Sequence, residues 1–146
     1  GAATGYFPVR LARAVPEGRV YGVDVERSMV EYLAARAKRE GLPHLTAVLA
    51  APADPRLPEP VDLVLMVNTY HHVDHRPAYF GRLREILKSG GRVVIIDFKK
   101  GQPMGPPEAH RIDAAQVREE LERAGYALAA EHGFLPNQHF LVFTAR

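Results

Sequence analysis

Cysteine is absent from the 146 residues, which excludes a disulfide framework, a thiolate metal site and a cysteine nucleophile. A dominant charge is lacking too. Lys and Arg number 19 against 17 Asp and Glu, for a formal net charge of +2. That balance offers no strong field to draw nucleic acid or an acidic membrane surface. No apolar run approaches the roughly 20 residues of a membrane span, and no charged-then-apolar leader opens the chain. Repeats and low-complexity tracts are also missing. What is present, 47% hydrophobic and 25% charged residues, is the balance of an ordinary soluble domain. The expectation is therefore one domain over residues 1–146, in the cytoplasm.

Apolar spacing divides the chain into alternating helices and strands. Phe7, Leu11, Ala12 and Val15 recur at helical spacing, with Pro8 tolerated in a first turn. Arg19 to Val25 and His44 to Ala50 read as strands. Between them, Met29, Val30, Leu33 and Ala37 form a helical stripe, with Ser28 and Glu31 at capping-box spacing. Pro52, Pro55, Pro58 and Pro60 mark a loop. Val61 to Val67 is so apolar that a strand covered on both faces is expected. Tyr79, Leu83, Ile86 and Leu87 suggest a helix closed by Gly90 and Gly91, and Arg92 to Phe98 a further buried strand. Asp113 and Gln116 have capping-box spacing ahead of Val117, Leu121 and Ala124. Two last runs, Tyr126 to His132 and His139 to Thr144, are suited to antiparallel pairing. The alternation predicts an α/β, Rossmann-like, doubly wound and mostly parallel sheet with an antiparallel C-terminal strand. Ligands of such sheets bind outside the carboxyl ends of the strands.

The polar residues that packing does not explain fall at those ends. Gly1-Ala2-Ala3-Thr4-Gly5 opens the first helix, where small residues admit a ligand to the backbone and free N–H groups favour an anion. Asp24 ends the next strand, nineteen positions after Gly5, where a carboxylate can accept both hydroxyls of a ribose or else cap the following helix. Asp54 lies in the proline-rich loop, placed either to take an adenine amino group or to form a turn before Pro55. Asn68-Thr69-Tyr70-His71-His72 follows the most apolar strand, and its imidazoles suit substrate positioning or proton transfer near neutral pH.

Four stretches, GAATGYF, YGVDVERSMVEYL, VDLVLMVNTYHHV and LREILKSGGRVVIIDF, carry a resemblance. The chain resembles the class I S-adenosylmethionine-dependent methyltransferases, in particular the ubiquinone-biosynthesis-type and general methyltransferase domains, over essentially its whole length. The resemblance implies a seven-stranded sheet with an antiparallel last strand, S-adenosylmethionine as cofactor, and methyl transfer to a small-molecule acceptor. It implies that Gly1, Ala3 and Gly5 back the methionine portion and Asp24 binds the ribose. Ala53 and Asp54 would flank the adenine, Asn68 would stand near the methyl, and Ala2 and Val25 would complete the cofactor-lining set. The sequence departs from the family where Ala3 replaces the middle glycine of the loop and Ala51 replaces an adenine-binding acid.

In the family a strand with an acidic residue precedes the glycine loop. Its buried aliphatics, at roughly 1.5–3 kcal/mol each, would weigh heavily against a domain's roughly 5–15 kcal/mol of net stability. The expectation is an N-terminally truncated chain, with a longer native gene product. The sulfonium makes its own methyl electrophilic, so the protein supplies alignment, and a base only where the acceptor is weakly acidic. His72 is the first candidate for such a base and His71 the second; no metal is required. No nucleic-acid partner is expected, and a homodimer through an exposed sheet edge is open.

Three other readings compete. A zinc hydrolase using the HHVDH cluster is disfavoured by Tyr70, where a metal ligand would be needed. A nicotinamide-binding domain would want a third loop glycine that the chain lacks. A nucleotide-binding remnant or partner-binding module without catalysis is separated from the enzyme by cofactor binding.

Overall fold

The computed structural model describes all residues from 1 to 146. Its elements are α1 (Tyr6–Ala14), β1 (Val20–Asp24), α2 (Arg27–Arg39), β2 (Leu45–Leu49) and β3 (Val61–Val67). They continue with α3 (Arg76–Glu85), β4 (Leu87–Phe98), α4 (Ala114–Arg123), β5 (Tyr126–His132) and β6 (Gln138–Ala145). The order is the expected α/β alternation. The chain divides into two compact units, Gly1–Pro58 and Glu59–Arg146.

In the first unit β1 and β2 pair in parallel, from Val20 opposite Leu45 to Asp24 opposite Leu49. Their core is Val9, Ala12, Leu33, Ala37, Leu42 and Leu45. The α1 stripe differs from the expected one. Pro8, Val9 and Ala12 are buried, whereas Phe7 and Val15 are exposed, so the inward face is rotated by about one residue. The α2 stripe narrows to Leu33 and Ala37. Leu33 decides how closely this helix packs: a Cβ on Gly22 would lie 2.2 Å from its Cδ2, and one on Gly5 2.6 Å from its Cδ1. The expected capping box at Ser28 and Glu31 does not form. The cap of α2 is Glu26, without a side-chain hydrogen bond; Met29 and Val30 already donate to its carbonyl, so Ser28 and Glu31 lie inside the helix.

In the second unit the strand order is β3-β4-β6-β5. β3 and β4 are parallel, while β6 runs antiparallel to both β4 and β5, as expected for the chain's end. β4 starts at Leu87, earlier than predicted, and α3 stops at Glu85. The Ile86 carbonyl accepts from the Val61 N–H, which draws the chain into the sheet before Gly90 and Gly91. β6 alternates between buried and half-buried residues, and in β4 Val94 is buried as well as its neighbours. Val93, Ile95 and Asp97 lie opposite Phe143, Leu141 and His139, and all six are buried. Phe80, Leu83, Val117, Leu121 and Tyr126 are also buried in this unit. Asp113 caps α4 by accepting from the Gln116 N–H at 2.9 Å. β3 departs from its expected coverage. It is an outer strand of this sheet, and Leu63 is 49% exposed.

Candidate functional site

The residues singled out in the sequence form two groups at strand ends, one in each unit. In the first unit, the backbone nitrogens of Gly1 and Ala2 both donate to the Val23 carbonyl at 2.9 Å, which sets these residues beside the end of β1. The chain then reverses through Ala3 at φ 46° and Gly5 at φ 97° and enters α1. The first-turn N–H groups of that helix have no intrahelical partner. Asp24 ties this turn to the strand. Its Oδ2 accepts from the Ala3 N–H at 2.8 Å, and its Oδ1 from the Glu26 N–H at 3.0 Å. One side chain, 7% exposed, makes both bonds. Burial pushes the Asp24 carboxyl up, but the N–H bonds from Glu26 and Ala3, the charge of the Gly1 amino group and the Val25 N–H together hold the group below its ordinary value. Each oxygen has a second lone pair, so a charged carboxylate with spare acceptor capacity remains.

Val25 is exposed beside it. Ala53 and Asp54 lie in the turn after β2, where Ala51 and Asp54 bond backbone to backbone. The Asp54 side chain accepts the Arg56 N–H at 2.8 Å, which is the turn-forming arrangement. A cavity of about 440 Å³ opens elsewhere in the unit, between α2 and β2, beside Ala34, Leu42 and Ala47. It includes none of these residues.

In the second unit the chain leaves β3 through Asn68, which adopts the left-handed region at φ 53°. Its N–H donates to the Ile96 carbonyl at 2.8 Å, and its Oδ1 accepts from Gln138 Nε2 at 2.6 Å. A single 3-10 turn, Tyr70–His72, follows. Tyr70 is fully buried, and its hydroxyl donates to Glu120. Glu120 also receives Arg76 Nε at 2.6 Å, Arg76 Nη2 at 3.0 Å and Gln116 Nε2 at 3.0 Å. Burial raises the Tyr70 hydroxyl's affinity for its proton, and the Glu120 carboxylate adds to that. The phenol is thus a fixed donor, and the turn is pinned to α4.

The next two residues point differently. The His71 side chain is only 5% exposed, and its Nδ1 lies 2.9 and 3.0 Å from the two Asp97 oxygens. His72 is exposed, with its ring centroid 4.1 Å from that of His71. Asp97 and Gln138 were not singled out by sequence reasoning. Asp97 carried a usable signal, being an acid that ends a buried strand run just as Asp24 does; Gln138 carried none. No three His, Asp or Glu side chains gather at a spacing that would hold a metal ion, and the HHVDH residues are no exception. No helix is long and apolar enough to cross a membrane.

The chain is similar to several known proteins. A family model described as a methyltransferase domain matches residues 1–91. The ubiquinone/menaquinone biosynthesis C-methyltransferase of Cupriavidus necator is 25% identical over 157 residues, an alignment that takes in 91% of this chain and 63% of the relative. The chain thus spans less than two thirds of that relative's length. A crystal structure of a SAM-dependent methyltransferase from Aquifex aeolicus superposes with a TM-score of 0.90 at 24% identity, covering 98% of this chain and 78% of the other. The neocarzinostatin-biosynthesis O-methyltransferase NcsB1, solved with S-adenosyl-L-homocysteine and 1,4-dihydroxy-2-naphthoic acid, gives 0.83 at 21% identity, over 100% of this chain and 48% of that one. The fold is the Rossmann-like fold of S-adenosylmethionine-dependent methyltransferases, and the chain belongs to the methyltransferase-domain family.

Proposed function

We propose that this chain binds S-adenosylmethionine through its first unit and transfers the methyl group to a small-molecule acceptor. The observation that carries the reading is the state of Asp24: buried, held charged by two backbone N–H groups, and with acceptor capacity left over. That chemistry fits the paired hydroxyls of a ribose, which need a fixed anionic acceptor. The small residues before α1 fit a ligand that approaches the backbone closely. Gly1, Ala2, Ala3 and Gly5 would line the methionine portion, and Val25, Ala53 and Asp54 the adenosine portion.

Bound there, the cofactor supplies an electrophilic methyl. The chain's own residues orient the two reactants, exclude water and, for an acceptor that must lose a proton, provide a base. His71 and His72 are the two imidazoles available for that role. The His71 ring is held by Asp97, whereas His72 is exposed, its ring tilted against that of His71.

Calorimetric titration with S-adenosylhomocysteine tests the binding. Micromolar affinity that Asp24→Ala abolishes is the expected result. Equal affinity in the variant would remove Asp24 from the site. The histidines are tested separately: His72→Ala is expected to lower turnover more than it lowers cofactor affinity.

A further inference from the structure

In the first unit β2 is an outer strand without the usual protection of a sheet edge. β1 has its far edge engaged near the end by Gly1 and Ala2, which donate to the Val23 carbonyl. In the second unit the outer strands β3 and β5 each show a register shift. They also carry charges, Asp62 and Glu131, held by Lys88 and Arg118. Leu45 to Leu49 has no charge and no proline, and its register with β1 is unbroken. An apolar edge of that kind is a template for another strand.

The groups on this edge follow from the ladder. The His44 carbonyl accepts from the Val20 N–H, and the Ala50 N–H donates to the Asp24 carbonyl. Backbone groups alternate sides along a strand, so Thr46 and Val48 address β1. Ala47 and Leu49 turn both N–H and C=O outward. Leu45 offers its carbonyl alone, because its N–H donates to Leu42.

That set is self-complementary under a two-fold rotation about Ala47. Each Ala47 N–H then meets the carbonyl of the partner's Ala47. Each Leu49 N–H meets the free carbonyl of the partner's Leu45. The helix above obeys the same symmetry. α2 packs on β2, and its Leu33 lies over Gly22, the residue opposite Ala47. The axis therefore passes close to Ala34. Ala34 and Lys38 border the cavity of about 440 Å³ between α2 and β2, and both are exposed. Glu31, also exposed, is three residues before Ala34 on the same stripe of the helix. The ion pairs at the end of α2 join Arg13 and Arg36 to Glu40 and use neither Glu31 nor Lys38. Rotation about the axis sets Lys38 against the partner's Glu31, with the small Ala34 at the crossing.

We propose that β2 and α2 form the interface of a homodimer, in which β2 pairs antiparallel with the partner's β2 across a two-fold axis at Ala47. The occupant is a second copy of this chain because hydrogen-bonding groups and charges both complement themselves about one axis, as an isologous interface requires. Pairing extends the β1–β2 pair into a sheet shared by both copies, where two strands alone gain little. It is independent of cofactor binding.

Sedimentation equilibrium of the full chain measures the association. The interface is of the small, weak kind, so dimer should accumulate as concentration rises to about 1 mM; a monomer throughout would overturn the proposal. Lys38→Glu should weaken the dimer about tenfold, since both symmetry-related pairs pass from attraction to repulsion. Adding Glu31→Lys to it should restore the wild-type constant. An unchanged constant in the single variant, or a double variant as weak as the single one, would exclude this interface. Ala47→Pro removes an N–H that β1 does not use and that an edge tolerates losing, so it should abolish the dimer and keep the circular dichroism of the fold. A Pro variant that folds and still dimerises counts against β2. Should that variant fail to fold, a nitroxide on Thr46→Cys decides in its place, the chain having no other cysteine. Paired strands about 5 Å apart bring the two labels close enough for dipolar broadening that excess unlabelled chain removes. A dimer with an unbroadened spectrum pairs elsewhere, and the proposal falls.

Discussion

Ala3 shows how one side chain can be tolerated where the local geometry favours none. Its φ of 46° lies in the left-handed region, which costs an L-residue with a Cβ roughly 1–2 kcal/mol. The Asp24 carboxylate holding its N–H compensates in part. Ala3→Gly should therefore raise stability by up to about 1 kcal/mol, since the greater freedom of glycine in the unfolded chain offsets some of the relief. A thermal melt that falls instead would show that the methyl makes contacts worth more than the strain. Asp24 itself makes stability depend on pH. Its folded-state carboxyl is held below the ordinary value, so its contribution is present above the unfolded carboxyl value and is lost as pH falls through the lower, folded one. Denaturant titrations on acidification should show Asp24→Asn less stable than wild type at neutral pH, with the gap closing in acid. Both acids at strand ends, Asp24 and Asp97, stood in plain view in the sequence. What the sequence left open was the partner. That Asp97 would engage His71 depends on a turn 26 residues earlier, and no local pattern encodes that distance.

Among the elements, helix and strand identity came through and boundaries did not, each time for a physical reason. The α1 stripe was misjudged because Phe7 and Val15 are apolar yet outward-facing, while Pro8, the residue least suited to a helix, is buried in its first turn. Ser28 and Glu31 had capping spacing, but the helix starts earlier, at Glu26, whose carbonyl accepts from Met29 and Val30. The α4 cap was read correctly, and Asp113 holds the helix start. The 3-10 turn after β3 is the element with most at stake, since it carries both histidines. Its anchor is the Tyr70 hydroxyl on Glu120. Tyr70→Phe should cost about 1–3 kcal/mol, because Glu120 keeps Arg76 and Gln116 but loses a buried donor. Chemical denaturation measures that loss. In the first unit, Leu33→Ala should cost about 2–5 kcal/mol, for it empties the contact that both Gly5 and Gly22 leave room for.

On the scale of the whole molecule, composition and alternation were enough to read the α/β class, because buried parallel strands and amphipathic helices have different periods. They were not enough to read strand coverage. VDLVLMV is as apolar as a central strand, yet β3 pairs only with β4, and Leu63 reaches solvent. Apolarity reports that a segment tends to be buried, not which edge of it is hydrogen-bonded. The pairing makes a directional prediction. The Asn68 N–H donates to Ile96 of β4, and in a parallel strand the N–H groups alternate between the two sides. Val64 and Met66 therefore aim theirs at β4, while Leu63, Leu65 and Val67 aim theirs away from it, where no strand pairs. β4 and β6 are each paired on both edges. Native-state hydrogen exchange should find the amides of Val93 to Asp97 and Phe140 to Phe143 slowest. Along β3 it should alternate, with Val64 and Met66 protected and Leu63, Leu65 and Val67 faster. Uniform protection along β3 would mean that a further strand pairs with its other edge, and the four-stranded order of the second unit would have to be extended by one.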